Sequence, residues 1–174
     1  MGVYTNFETG VTHSVMTADT SVQPVASPNH CSLQQRLTGF GGQARVATAF
    51  GDVPIEALRV NDLLRTFSGR MASVRTVEKV CVDGDFFSKS ANAFPILIPA
   101  NEFGFGRPMK AITILPGQEI SIDAHVVSSF KTADELCSKA RTQRLKTSGS
   151  SYYRFHCGEP VIVRVEGLWV RIGH

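Results

Sequence analysis

The chain has 174 residues, of which 43% are hydrophobic and 19% are charged, and its formal net charge at pH 7 is +3. This length accommodates one ordinary globular domain with a real core, and the composition excludes a wholly disordered chain. The basic balance is mild and its charges are scattered, which favours a solvated surface over nucleic-acid binding. No apolar run approaches the roughly 18–20 residues of a membrane-spanning helix.

The four cysteines are far apart and form no C-x-x-C pair. Structural zinc needs closer pairs and disulfide scaffolds are denser in cysteine, so we expect buried free thiols, with one or two disulfides left open if the protein is exported. The N-terminus has neither the basic start nor the apolar block of a secretory signal. The compartment therefore stays open between the cytoplasm and export without a classical signal peptide.

Residues 1–38 predict an irregular polar leader, and residues 39–174 predict the folded domain. The leader is rich in Thr, Ser, Asn, Gln and Pro and shows no sustained period of 2 or 3.6 residues. A short helix over 31–37 is its candidate element.

The remainder of the chain predicts many short strands, separated by Gly, Pro or Asn clusters. Gly51 and Asp52 predict a hairpin turn after the first strand, and 55–60 predicts a short helical turn or a bent strand. Short strands at this spacing are typical of an all-β barrel or sandwich. The predicted strands are 44–48, 63–67, 74–82, 94–98, 111–115, 119–122, 152–156, 161–165 and 168–172.

One helix is predicted, over 132–144. It begins with Thr132-x-x-Glu135, the spacing of a capping box, and it places Leu136 and Ala140 on one face. Seven aromatic side chains are expected in the core: Phe40, Phe86, Phe87, Phe94, Phe103, Phe105 and Trp169.

Three sequence blocks occur in a characteristic order. The first is Gly39-Phe-Gly-Gly-Gln-Ala, followed by Arg-Val-Ala-Thr and Pro-Ile-Glu-Ala-Leu; the middle block runs over 95–108, and the last over 152–168. These blocks resemble hedgehog/intein (Hint) autoprocessing domains, in particular the bacterial Hint branch. The resemblance implies an all-β Hint fold, a compact pseudo-twofold barrel or horseshoe, over most of the chain.

The resemblance also implies a chemistry. In an active member, the thiolate of the first Cys attacks the preceding carbonyl, and an N-to-S acyl shift converts the peptide into a thioester. One histidine protonates the departing nitrogen, and a second histidine lies shortly before the closing strand. The corresponding positions here are Gly39, Gln118 and Pro160. Glycine cannot attack and glutamine cannot deliver a proton near pH 7, so we expect a domain that has lost autoproteolysis and splicing and acts as a structural or binding module.

The alternative is an active self-cleaving Hint protein that releases the leader at the Thr38–Gly39 junction. Thr38 is its candidate oxygen nucleophile, although hydroxyl attack would still lack an imidazole at position 118. The expected partner is another protein that binds the Hint-like surface, with no nucleic acid and no membrane, and the oligomeric state stays open.

No cofactor and no metal are expected. Neighbouring strand residues point to opposite faces, so His156 and Cys157 would rarely chelate one ion together. The stretch from Gly104 to Arg107 invites a phosphate-loop interpretation, but no helix is predicted after it. Asp123, His125 and His174 also supply metal-ligand atom types, but satisfied or exposed histidines are the expectation there.

Overall fold

A computed structural model describes residues 37–82, 93–123, 129–137, 141–146 and 150–173. These residues form short strands, one 3-10 turn (Ile55–Ala57) and one short helix, α1 (Ala133–Cys137). No helix in these ranges is both long and apolar enough to cross a membrane. The strands are β1 (Phe40–Gly41), β2 (Arg45–Thr48), β3 (Gly51–Pro54), β4 (Leu63–Arg65), β5 (Met71–Ser73), β6 (Thr76–Val82), β7 (Ile96–Ile98), β8 (Ile112–Ile114), β9 (Glu119–Ser121), β10 (Phe130–Thr132), β11 (Gln143–Arg144), β12 (Ser150–His156), β13 (Val161–Val165) and β14 (Leu168–Ile172).

The strands form two antiparallel sheets. The smaller sheet has six strands in the order β11-β7-β8-β1-β12-β6. The larger has eight strands in the order β10-β9-β14-β13-β2-β4-β5, with β3 paired to β2 beside this path. The predicted all-β class is therefore confirmed.

The core draws apolar side chains from both sheets. In β13, Val163 and Val165 are buried while Arg164 between them is exposed, which is the alternation that a strand with one buried face requires. In the smaller sheet Phe40 and Phe155 are buried and their rings stack with centroids 6.3 Å apart. One continuous cluster of buried side chains thus joins the two sheets.

The first hairpin turns two residues earlier than predicted. Ala49 and Phe50 form the turn, and Gly51 and Asp52 already belong to β3. The Thr48 hydroxyl donates to the Gly51 carbonyl at 2.6 Å and accepts from the Phe50 N–H at 3.2 Å. This side chain closes the turn, a role that the sequence pattern did not reveal.

The predicted helix over 132–144 is too long. Its capping box is confirmed, since the Thr132 N–H donates to Glu135 Oε2 at 2.9 Å and the Glu135 N–H donates to the Thr132 hydroxyl at 3.2 Å. However, α1 ends at Cys137, and Gln143–Arg144 pairs with β7 as strand β11. Pairing with a sheet edge therefore overrides the helical pattern at its far end.

The predicted strand 74–82 is also shorter than expected. The Val74 N–H donates to the Asp62 carbonyl at 2.9 Å and its carbonyl accepts from the Asn61 N–H at 2.8 Å, so Val74 is held by a turn while β6 begins at Thr76. Strands β1, β3, β5, β10 and β11 were not predicted.

The aromatic residues expected in the core differ in burial. Phe40 is buried, but Phe105 is 96% exposed and the core prediction is wrong there, because it lies in a turn in which Gly104, Phe105 and Gly106 all have positive φ. Among the cysteines, Cys157 is a buried free thiol as expected, whereas Cys81 is exposed. Phe86, Phe87 and Cys31 lie outside the described residues, as does most of the leader, whose boundaries and helix stay predictions.

A buried carboxylate organises the turn between β13 and β14. Glu166 is only 2% exposed and has a left-handed backbone, with φ of 47°. Its Oε1 accepts the Arg45 N–H at 2.9 Å, and its own N–H donates to the Arg45 carbonyl at 2.9 Å. The side chain thereby joins this turn to the start of β2.

Replacement of Glu166 by Ala should lower the free energy of unfolding by about 1–3 kcal/mol, because the Arg45 N–H loses its buried acceptor. Glu166→Gln is the matched control, since its amide oxygen can still accept this hydrogen bond. Urea unfolding of the three proteins checks the prediction. Equal stabilities for the Ala variant and the unmodified chain would contradict it.

Candidate functional site

A cavity of about 630 Å³ lies where the residues before β1, the residues before β9 and the end of β14 meet. Several elements contribute backbone and side chains to its wall. The lining residues are Thr38, Phe40, Gly117, Gln118, Glu119, Thr132, Arg154, Phe155, His156, Arg171, Ile172 and Gly173.

The segment before β1 continues the sheet into this cavity. The Leu115 N–H donates to the Gly39 carbonyl at 2.9 Å, and the Gly117 N–H donates to the Leu37 carbonyl at 3.0 Å. Backbone groups of successive residues in such a ladder point to opposite sides, so those of Thr38 face away from this neighbouring segment. Thr38 accordingly lines the cavity, while Gly39 does not.

Gly39 has a backbone conformation and neighbours that disfavour a side chain. It is buried, and its φ is +146°, a value that L residues rarely adopt. A Cβ atom built here would lie 3.1 Å from the Tyr153 carbonyl oxygen and 3.3 Å from Leu115 Cδ1. A nucleophilic side chain at this position would therefore require both an altered backbone and displaced neighbours.

Gln118 is engaged in the scaffold although it lines the cavity. It is 2% exposed, and its Nε2 donates to the Arg171 carbonyl at 2.9 Å. Its backbone carbonyl accepts the Ala133 N–H at 2.9 Å, at the start of α1. Gln118 thus joins β9, β14 and α1, and its amide carries no acidic proton near neutral pH.

Pro160 stands at the edge of the site. It is exposed and precedes β13, and its Cα lies 2.9 Å from where a Cβ on Gly173 would be. Gly173 lines the cavity, whereas Pro160 packs behind Gly173 and does not line it. The structure thus brings Thr38, Gly39 and Gln118 together, whereas Pro160 lies outside the cavity wall, behind Gly173. The equivalence of these positions to catalytic residues stays a prediction.

The charged residues of the wall are held in ion pairs. Arg171 NH1 lies 3.0 Å from Glu119 Oε2, and its guanidinium lies 4.1 Å from the centre of the Phe130 ring. Arg154 Nε lies 2.6 Å from Glu78 Oε2. Pairs as exposed as these contribute little to stability, but they fix the position of each guanidinium at the cavity.

Sequence reasoning missed several residues of the wall. His156 was considered only as a metal ligand, and Thr132, Arg171 and Gly173 were not predicted as site residues. The sequence does place His156 at the end of a predicted strand. Only the tertiary structure shows that this strand ends at the cavity.

Cys157 cannot replace the absent thiol. It is buried in the core cluster beside β12, on the opposite side of the chain from His156. Burial, with a smaller contribution from the Glu159 carboxylate, raises the pKa of its thiol, and Arg75 only partly opposes this shift. The thiol is therefore protonated and unreactive near neutral pH.

The structure does not support two other candidate sites, a metal site and a phosphate-binding loop. Within the described ranges no group of three His, Cys, Asp or Glu side chains could hold a metal ion, and His125 and His174 lie outside those ranges. The glycine turn at 104–106 is closed by Asn101, whose Oδ1 accepts the Gly106 N–H at 2.7 Å. The next element is β8, so no helix N-terminus is present to bind a phosphate.

A family model described as the Hint domain matches residues 38–171 of the chain. The match begins at Thr38 and spans every element from β1 to β14. The chain belongs to the Hint domain family. No curated protein sequence matches it at a significant level.

Solved structures agree on the fold of this Hint domain. It is similar to a DnaB intein from Synechocystis sp. PCC 6803, with 12% identity, a TM-score of 0.56 and coverage of 79% of this chain and 99% of the intein. It is also similar to the gp41-1 intein, with 11% identity, a TM-score of 0.51 and coverage of 76% and 97%. The predicted Hint fold is thereby confirmed.

The cysteines should differ in reactivity. At neutral pH we expect maleimide to label exposed Cys81 at least about tenfold faster than Cys157, since burial and a raised pKa both suppress the Cys157 thiolate. Peptide mapping by mass spectrometry over a time course measures both rates. Labelling in denaturant is the control, in which the two rates should converge, and equal rates in the folded protein would contradict the expectation.

Proposed function

We propose that this Hint domain does not cleave its own backbone and serves as a structural or binding module. The observation that carries the proposal is the backbone of Gly39, whose φ of +146° strains any side chain and whose neighbours Tyr153 and Leu115 would crowd one. An N-to-S acyl shift needs a thiolate beside the scissile carbonyl. Position 39 supplies no such atom, and a side chain placed there would be strained.

The surroundings of Gln118 support the same proposal. Departure of the amine in a backbone cleavage requires a proton donor of suitable pKa. Gln118 lines the cavity, but its amide donates to the Arg171 carbonyl and has no ionisable proton. A second part of the expected machinery is thus used to hold strands together.

A binding role is supported by what the site retains. The cavity volume of about 630 Å³ lies within the range of roughly 300–1,000 Å³ that is typical of ligand sites. Its wall combines buried apolar floor residues with polar groups held in fixed positions. We propose another protein as the partner, with no role in binding nucleic acid or membranes.

The alternative is self-cleavage at the Thr38–Gly39 junction. The observation that favours it is the presence of Thr38 and His156 on the wall of one cavity, since a hydroxyl and an imidazole form the usual nucleophile and base pair. Against it, a hydroxyl is a weak nucleophile unless its base lies within hydrogen-bond reach.

Intact-mass analysis of the full chain should show one uncleaved species, with and without dithiothreitol or hydroxylamine, because position 39 provides no thioester. Cleavage at the Thr38–Gly39 junction would give a species shortened by residues 1–38, whereas attack of the Thr38 hydroxyl on the preceding Leu37 carbonyl would break the Leu37–Thr38 bond and remove residues 1–37. Either shortened species would contradict this proposal and support self-cleavage. Thr38→Ala is the matched variant: cleavage that disappears in it would assign the reaction to the Thr38 hydroxyl.

Restoring the family residues should not restore the reaction. We expect Gly39→Cys with Gln118→His to show no robust thiol-dependent cleavage while Pro160 remains. The Gly39→Cys change alone should cost about 1–3 kcal/mol of stability, because the residue must occupy a backbone conformation that suits glycine. Gly39→Ala is the control, since it adds the same Cβ without the thiol and should destabilise similarly. Intact mass measures cleavage, and thiol-dependent cleavage by the double variant would overturn the first expectation. Urea unfolding measures stability, and an unchanged stability of Gly39→Cys would overturn the second.

A further inference from the structure

The outer face of the larger sheet carries exposed apolar side chains. In β4, Leu64 is buried whereas Leu63 and Arg65 are exposed, so these two lie on the face away from the core. Leu63, Phe67 and Met71 are 41%, 39% and 49% exposed. Apolar side chains grouped on one sheet face are a feature of interaction surfaces.

Strand pairing places these side chains side by side. Met71 lies opposite Arg65 across β4 and β5, and Trp169 lies opposite Arg164 across β13 and β14. The Phe67 ring packs edge-on against Trp169, with centroids 5.2 Å apart. We name this surface the outer patch; it comprises Leu63, Arg65, Phe67, Met71, Arg164 and Trp169.

The outer patch contains two arginines near one another in the sheet. Thr66 and Val163 form an isolated antiparallel bridge, and Arg65 and Arg164 are their neighbours in the chain. Like charges close together on one sheet face repel each other. Arg65 donates to the carbonyls of Thr48 and Ala49, which carry no charge. In the part of the chain that the structure describes, neither arginine forms an ion pair with a carboxylate.

We propose that the outer patch is a docking surface for a protein segment that carries acidic side chains among apolar ones. The acidic groups would neutralise Arg65 and Arg164, and the apolar groups would cover the exposed side chains between them. Arginine and aromatic residues in this arrangement are typical of the energetically important centre of a protein interface. The inference rests on the binding role in the proposed function and names its partner.

The composition of the outer patch favours a protein over a nucleic acid. Phosphates could neutralise the arginines, but they offer nothing to the aliphatic side chains of Leu63 and Met71. Single-stranded nucleic acids bind through bases stacked on open aromatic faces. Here the Phe67 and Trp169 rings instead pack edge to face against each other.

The test uses Trp169, which is the chain's only tryptophan and therefore a specific fluorescent reporter of the outer patch. The full chain is titrated with a short synthetic peptide of alternating Glu and Leu, and separately with the same peptide carrying Lys in place of Glu. We expect saturable binding of the Glu peptide, weakening as salt is raised, and at least about tenfold weaker binding of the Lys peptide.

Two variants locate the binding. Arg164→Glu reverses one charge of the outer patch and should weaken the Glu peptide at least about tenfold, and Met71→Ser should weaken it about threefold or more. The matched control is Lys79→Glu, which makes the same charge change at an exposed residue of β6 in the other sheet. Its Kd should stay within about twofold of the unmodified chain.

Four results would overturn the inference: no binding of the Glu peptide, equal binding of both peptides, an unchanged Kd in Arg164→Glu, or tighter binding of a single-stranded oligonucleotide than of the Glu peptide. A Trp169 signal that changes with protein concentration alone would assign the surface to a second copy of the chain and would also overturn it. None of these readouts involves cleavage. Failure of the docking inference would therefore leave the test of self-cleavage by intact mass unaffected.

Discussion

The smaller sheet depends on the close approach of three chain segments at β1. This strand has two residues, yet it pairs with β12 on one side and β8 on the other. Phe40 anchors it in the core against Phe155, and Gly39 before it lies so close to the Tyr153 carbonyl that a Cβ would crowd it. Without this approach, β12 and β6 would lose their connection to the rest of the sheet. The wall of the cavity is built on the same contact.

This constraint also bears on two of the positions at which the family resemblance predicts catalytic residues. Position 39, where the resemblance predicts a nucleophile, is a point of close packing, and glycine suits its backbone conformation. The position expected to hold an acid instead donates a hydrogen bond to the Arg171 carbonyl, which joins β9 to β14. Gln118 and the paired arginines at the cavity thus also hold the strands of the scaffold in place.

Several local features were predictable because their causes lie close together in the chain. The alternation over 161–165 and 168–172 predicted β13 and β14, and the Thr132 capping box predicted the start of α1. By contrast, the strand character of Gln143–Arg144 depends on a partner in β7. The short strands β1 and β5 have too few residues for a pattern, so only their partners identify them.

The sequence by itself determined the all-β class, the family blocks, and the residue types at positions 39, 118 and 160. Those depend on composition, period and order, which need no knowledge of contacts. Only the tertiary structure decided the backbone of Gly39, since Tyr153 and Leu115 impose it, and the partner of Gln118, whose acceptor is 53 residues away. It also decided that Thr66 and Val163, the neighbours of Arg65 and Arg164, form a bridge, because strand register is set by packing between distant segments.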